Sequence, residues 1–350
     1  MIATGTSFFL SIFLMLLHKL VGKNDVDLLK HRASHITSTS RLGGVAVATA
    51  IIVALTTASI PVRFEVLFCA IPVFLMGLSE DLNIYLKPNI RIIIASLSAL
   101  IFMFFEGVRI TSVGVPILDG VIEFMPISIF FTAFSIVALT NALNFIDGIN
   151  GLASGKTLIV SGAIMALAGQ YNEPGILVLS AAIFTSILGL FMLNYPHGRI
   201  FMGDAGAYTR GFLCAACLIT IHHKHPEISP WAILLVIFWP ICDMAHSILR
   251  RLKRGRKTIR ADKMHMHHVV MRSLVVVSDG GISQRVANPL ATAIILPLAV
   301  VPVFFGYVFR ENNLASLSAV VALFCIFCIA YATLVRKAKR HAYVPRSINI

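Results

Sequence analysis

Eleven apolar runs, separated by short polar segments, restrict what this chain can fold into more than any other feature. They cover approximately residues 4–20, 43–60, 64–78, 91–105, 125–140, 157–169, 176–193, 211–221, 231–248, 289–309 and 314–335. A helix needs about 20 apolar residues to cross roughly 30 Å of hydrocarbon. Backbone in lipid must satisfy its own hydrogen bonds. The sequence therefore predicts an all-α integral membrane protein with about eleven transmembrane helices, ten being the alternative count. Runs 64–78, 157–169 and 211–221 fall short of a full span and must borrow flanking residues such as Phe201 and Met202. Composition agrees: 57% of the 350 residues are hydrophobic and only 13% charged, against about 25% charged in soluble domains. A single polytopic membrane domain, residues 1–350, is expected.

Lys and Arg set the orientation, because short loops rich in them stay in the cytoplasm. With the amino terminus outside and the carboxyl terminus cytoplasmic, 25 of the 29 basic residues fall inside, leaving Arg63, Arg109, Lys224 and Arg310 outside. An inner loop over 249–288 is the most basic segment. The net charge of +13 then marks topology and contact with anionic lipid, and excludes nucleic acid as the expected partner. The first run lacks a preceding basic residue and a following cleavage site, so it reads as a retained helix rather than a signal peptide. All six cysteines lie inside apolar runs, where Cys behaves as a small hydrophobe. No disulfide framework is expected. His222, His223 and His225 lie on the outer side and read as a solvated loop.

The polar motifs cluster on the inner side. Segment 141–155, NALNFIDGINGLASG, places Asn144, Asp147 and Asn150 at three-residue spacing, which in a helix would stack them on one face. Gly148, Gly151 and Gly155 would let backbone approach a phosphate or a neighbouring helix. A carboxylate at membrane depth is costly unless it serves a site, which favours function over a plain glycine hinge. The loop after the third run carries adjacent carboxylates, Glu80 and Asp81, followed by Lys87 and Arg91. Alone it reads equally as a solvated loop or as a divalent-cation or proton site. Asp204 lies between Gly203 and Gly206, where it could cap a helix or hold a metal-bound phosphate. His265, His267 and His268 form an HxHH cluster whose spacing does not fit a zinc finger. A basic phosphate-recognising loop fits it better.

In this order, NALNFIDGINGLASG, FMGDAGAYTRG and DKMHMHH resemble the signatures of the polyprenyl-phosphate N-acetylhexosamine-1-phosphate transferases. This is the MraY/WecA family, glycosyltransferase family 4, and the HxHH form lies nearer its WecA-like branch. PICDMAHSILRRLKRGR, with Asp243, is also similar. The resemblance runs from about Gly77 to His268. It implies a bacterial inner-membrane enzyme with its active site on the cytoplasmic face. Such an enzyme transfers N-acetylhexosamine-1-phosphate, by default GlcNAc-1-phosphate, from a UDP-sugar to undecaprenyl or another polyprenyl phosphate. UMP is released and a cell-envelope glycan is started.

Carried over by position, Asp204 is the Mg²⁺ ligand, Mn²⁺ being the alternative metal, and Glu80 and Asp81 are the acidic pair at the lipid phosphate. Asn144, Asp147 and Asn150 lie on the nucleotide side, His265, His267 and His268 close over the nucleotide-sugar, and Lys87 and Arg91 contact phosphate. Two positions depart from the pattern: Glu80 replaces the usual Asp, and Asn150 stands where many members have Asp. A homodimer is left open. The competing class is a transporter or flippase, which would place ionisable residues near the midplane, often in repeated halves. The sequence shows no internal repeat.

Overall fold

The computed structural model describes residues 1–21, 39–59, 65–146, 148–253, 255, 264–278 and 281–343. Fourteen helices, and no strand, occur among them: α1 Ile2–Val21, α2 Gly43–Thr56, α3 Glu65–Asp81, α4 Pro88–Glu106, α5 Pro116–Ile122, α6 Met125–Phe145, α7 Leu152–Gln170, α8 Pro174–Asn194, α9 Gly203–Lys224, α10 Pro230–Val236, α11 Phe238–Leu252, α12 Met266–Val277, α13 Gln284–Val308 and α14 Asn313–Tyr343. Each of the eleven apolar runs is helical over most of its described residues, the run 231–248 as two helices. Seven helices (α1, α4, α6, α7, α8, α13 and α14) are long and apolar enough to cross a membrane. Another span becomes available if α10 and α11, bent by 88° where they meet, are taken together.

Helix ends follow local chemistry. Proline opens α4, α6, α8 and α10, where its missing N–H is no loss. At the start of α10 the Ser229 hydroxyl accepts from the Trp231 amide. Helix α13 continues through Pro289, Pro297 and Pro302, as membrane helices do when neighbours re-satisfy the freed carbonyls.

Helix α9 forms the centre, buried along nearly its whole length, with α2, α3, α6, α7 and α8 packed on it. Small residues make these crossings close. Side chains added at Gly44 or Gly77 would collide with the backbone of Gly206 or Ala205, and one at Gly211 would reach 2.8 Å from Thr140. This is how membrane helices gain dispersion contact when lipid removes the hydrophobic drive between them. On the opposite side α12, α13 and α14 pack together, and α10 joins α13 and α14. Phe68, Phe104, Phe130, Phe134 and Phe304 are each more than half exposed, on outer faces suited to acyl chains.

Lys156 and Arg210, two of the 25 basic residues counted on the inner side, lie inside α7 and α9 and are 1% exposed. The structure corrects two expectations. Segment 141–155 is not one helix: α6 ends at Phe145, turns follow, and α7 begins at Leu152. The outer histidines are not a loop, because His222 and His223 lie in the last turn of α9 and His225 caps it, and each ring meets an oxygen acceptor. His222 contacts the Ile228 and Ser112 carbonyls at 3.0 and 3.3 Å, His223 meets the Arg109 carbonyl at 3.1 Å, and His225 meets Glu173 at 3.1 Å.

Candidate active site

The amino-terminal end of α9 carries one wall of the site. Gly203 has φ +72, and a side chain there would strike the Arg41 carbonyl and the Asp81 carboxylate, so only glycine fits. With the chain turned in this way, the amides of Asp204 and Ala205 donate to the two Asp81 oxygens at 2.8 and 2.9 Å. A carboxylate from α3 thus caps α9, answering its unpaired amides and its positive dipole end. Asp81 lies past the apolar stretch that ends at Leu78. Burial, and then the Asp204 carboxylate, push it up to about 7 against the pull of the two amides and Arg41. Two carboxylates held this close favour a proton or a cation between them.

Glu80 faces elsewhere. One of its oxygens accepts from the Leu86 amide at 2.8 Å and the other pairs with Arg91 at 3.5 Å. Arg91 also reaches the Tyr208 hydroxyl at 3.5 Å, which links α4 to α9. Lys87 is exposed and is the residue before Pro88 that starts α4.

The second wall is the turn between α6 and α7, with α12 laid against it. Gly151, at φ +75, is the residue from which α7 starts. Its amide donates to Asn194 at 2.6 Å, and the Asn194 amide group donates to the Ile200 carbonyl at 2.7 Å. The backbone amide of Asn150 donates to Asn288 at 2.8 Å, and its carbonyl accepts from Thr292 at 2.7 Å. The Asn150 side chain donates to the Pro196 carbonyl at 2.8 Å. An Asp has no donor for that carbonyl, so the departure at position 150 has a local structural reason. Asn144 is buried, and its side-chain nitrogen has no hydrogen-bond partner among the described residues. Asp147 lies outside the described residues.

Three histidines complete this wall. His265 stacks on Phe145 at 5.9 Å, His265 and His267 are parallel at 5.8 Å, and His268 tilts onto His267 at 4.1 Å. A side chain added at Gly148 would come within 2.5 Å of His267 Nε2 and 3.1 Å of His268 Cε1, so a glycine lets the segments touch. Asp243 of α11 holds α12 in place: it accepts from the Met266 amide at 2.9 Å and meets His265 Nδ1 at 3.2 Å.

Arg210 joins the walls from α9. Its guanidinium donates to the carbonyls of Leu143 at 2.8 Å and Ala153, and to the Thr157 hydroxyl at 2.5 Å. These acceptors lie at the end of α6 and the start of α7. The structure therefore brings Asp81 to Asp204, Glu80 to Arg91, and Gly148 to His267 and His268. Sequence reasoning missed Tyr208, Arg210, Asn194, Asn288 and Thr292. A charge or an amide inside an otherwise apolar run was the available signal.

The donor set suits a hard divalent cation. Mg²⁺ commonly takes one or two carboxylates and fills its remaining positions with water and substrate phosphate. Asp204 and Asp81 supply that number beside a helix amino terminus.

Comparison with known proteins defines the class. Residues 63–222 match the model of glycosyl transferase family 4, and over that stretch the chain is similar to the enzymes of this family. Among its relatives is the undecaprenyl-phosphate alpha-N-acetylglucosaminyl 1-phosphate transferase of Yersinia pestis, 28% identical over 91% of this chain and 86% of the relative. The proteins of the same name from Escherichia coli O157:H7 and Salmonella typhi are 28% and 29% identical. They cover 78% and 76% of this chain, and 72% and 74% of their own lengths.

Proposed function

We propose that this enzyme transfers N-acetylhexosamine-1-phosphate, with GlcNAc-1-phosphate as the default, from a UDP-sugar to undecaprenyl or another polyprenyl phosphate. The observation that carries the reading is the pair Asp81 and Asp204 at the amino terminus of α9, the same helix whose Arg210 ties down the end of α6 and the start of α7. The names of the relatives point to the same reaction. In this reading the single polytopic domain spans the bacterial inner membrane eleven times with its amino terminus outside, and both walls and the basic 249–288 segment face the cytoplasm.

The lipid phosphate oxygen attacks the sugar-linked phosphorus, a new P–O bond forms, the diphosphate P–O bond breaks, and UMP leaves with the electron pair. Asp204, with Asp81, would hold Mg²⁺, which neutralises diphosphate charge when bound. Arg91 and Lys87 stand on the carboxylate wall as cations for the lipid phosphate, with Glu80 fixing Arg91. A phosphate monoester loses its second proton near pH 6, so the nucleophile needs orientation more than a strong base. Asn144, Asp147 and the 265–268 segment form the nucleotide side, and Asn150 fixes the turn that carries them.

The test is UMP release by the purified protein with undecaprenyl phosphate, Mg²⁺ and a panel of UDP-N-acetylhexosamines. Release with one of them is expected, and no release across the panel overturns the reading. The transporter alternative has no support from the relatives.

A further inference from the structure

One guanidinium on the carboxylate wall is shared between two acceptors and closes on neither. Arg91 has five N–H donors, and among the described residues only Nη1 makes polar contacts: one to Glu80 Oε2 at 3.5 Å and one to the Tyr208 hydroxyl at 3.5 Å. Both are long beside the roughly 2.7–2.9 Å of a closed guanidinium–carboxylate pair. The two acceptors are themselves firmly held. The other oxygen of Glu80 accepts from the Leu86 amide at 2.8 Å. Tyr208 is 2% exposed within α9 and lies one turn after Asp204, on the same face of that helix. The Glu80 and Arg91 side chains are only 13% and 15% exposed, so little water screens a direct pair between them. The tyrosine oxygen is the second pull on Nη1, and it acts from the helix that carries Asp204.

We propose that Tyr208 is a positioning residue for the acceptor lipid: its hydroxyl holds the Arg91 guanidinium between α4 and α9, off a closed ion pair with Glu80, and so keeps it open to a phosphate monoester. The inference rests on the reading above in taking Arg91 as a cation for the lipid phosphate. A closed and largely desolvated Arg91–Glu80 pair would have to be broken before a phosphate could be gripped. A guanidinium balanced 3.5 Å from each acceptor instead keeps its Nε and Nη2 donors for the incoming anion. A hydroxyl suits this place better than another acid. Glu80, Asp81 and Asp204 already stand on this wall, and a further carboxylate would repel a phosphate dianion. The neutral phenol accepts from Arg91 without adding charge. Because the contact belongs to the carboxylate wall, the lipid phosphate senses it and the UDP-sugar does not.

The test uses the full-length protein in detergent, with equilibrium binding of undecaprenyl phosphate measured by native mass spectrometry and undecaprenol as the uncharged control. Tyr208→Phe keeps the ring and removes only the oxygen. It should weaken undecaprenyl phosphate binding about tenfold, the scale for one hydrogen bond to a charged group, and leave undecaprenol binding unmoved. The KM for undecaprenyl phosphate should rise with it, and the KM for the UDP-sugar should not. Glu80→Gln removes the competing charge while keeping an acceptor for the Leu86 amide, so in that background Tyr208→Phe should cost less than about twofold. A tyrosine that only fills space would cost the same in both backgrounds. Unchanged binding in Tyr208→Phe overturns the proposal, as does an equal loss with and without the Glu80 charge, or a wild type that binds undecaprenyl phosphate no more tightly than undecaprenol. If Tyr208→Phe does not fold, Glu80→Gln decides alone: binding at least as tight as the wild type is expected, and weaker binding overturns the proposal. If the two-background pattern appears but the wild type releases no UMP from any UDP-N-acetylhexosamine, the proposed reaction fails and the role of Tyr208 stands.

Discussion

At the carboxylate wall, Asp81 commits both oxygens to the backbone of α9 and leaves Asp204 beside it, partly exposed. At the histidine wall, Asp243 likewise accepts a backbone amide, but it lies among buried rings with a buried lysine behind it. The same device, a carboxylate from one helix capping the start of another, thus produces a half-open anionic mouth in one place and a dry clasp in the other. What differs is the surroundings: glycines and a second carboxylate on one side, stacked imidazoles and a buried lysine on the other. The first arrangement suits a cation that arrives with substrate. The second suits holding a segment in position.

The comparison is broken most severely at its open side. Asp204→Asn should lower kcat for UMP release by at least about 100-fold, the scale for losing one electrostatic contact to a transition state, with thermal stability in detergent unchanged; near-normal turnover at saturating Mg²⁺ would remove Asp204 from the metal site. Arg210→Met cuts the link between the walls and leaves the Leu143 and Ala153 carbonyls without their donor. It should cost about 2–3 kcal/mol of stability, read as a fall in the unfolding midpoint. Asn150→Asp restores the residue usual in the family but sets a carboxylate against the Pro196 carbonyl. A roughly tenfold loss of activity with a lower midpoint is expected from an unmet buried acceptor, and increased activity would show that the Asn departure is catalytic rather than structural. The smallest effect belongs to Glu80→Asp, which withdraws the carboxylate from the Leu86 amide. About 1 kcal/mol or less, a few-fold in turnover, should be lost, and a gain would mean that the longer side chain compromises an Asp-Asp geometry.

Much of this architecture was legible because hydrophobic length is a strong signal. All eleven apolar runs are helical over most of their described residues, and the ordering of three polar motifs pointed to the family. The failures are as instructive. Lys156 and Arg210 entered only as charges in the topology count, because a cation ends an apolar run by any count, yet each is surrounded by the protein itself: Arg210 by carbonyls, Lys156 by an indole face. The three-residue spacing of Asn144, Asp147 and Asn150 suggested a helical face, but long-range bonds from Asn194, Asn288 and Thr292 hold the turn open. Nothing local encodes partners that far along the chain. The outer histidines were misread because carbonyl acceptors from the 108–115 and 225–229 segments come within reach only after folding.

The fastening of Asn150 by Asn288 also concerns how the protein is made. The two residues are 138 positions apart, and at about 5–20 residues per second a ribosome needs roughly 7 to 28 s to travel between them. Throughout that interval the glycine-rich turn is already synthesised while its anchor on α13 has yet to emerge. Residues 63–222, the stretch that matches the family model, therefore do not include the anchor of their own glycine-rich turn: under the proposed function, a nascent chain arrested before α13 should bind UDP-sugar poorly, however well its earlier helices have inserted.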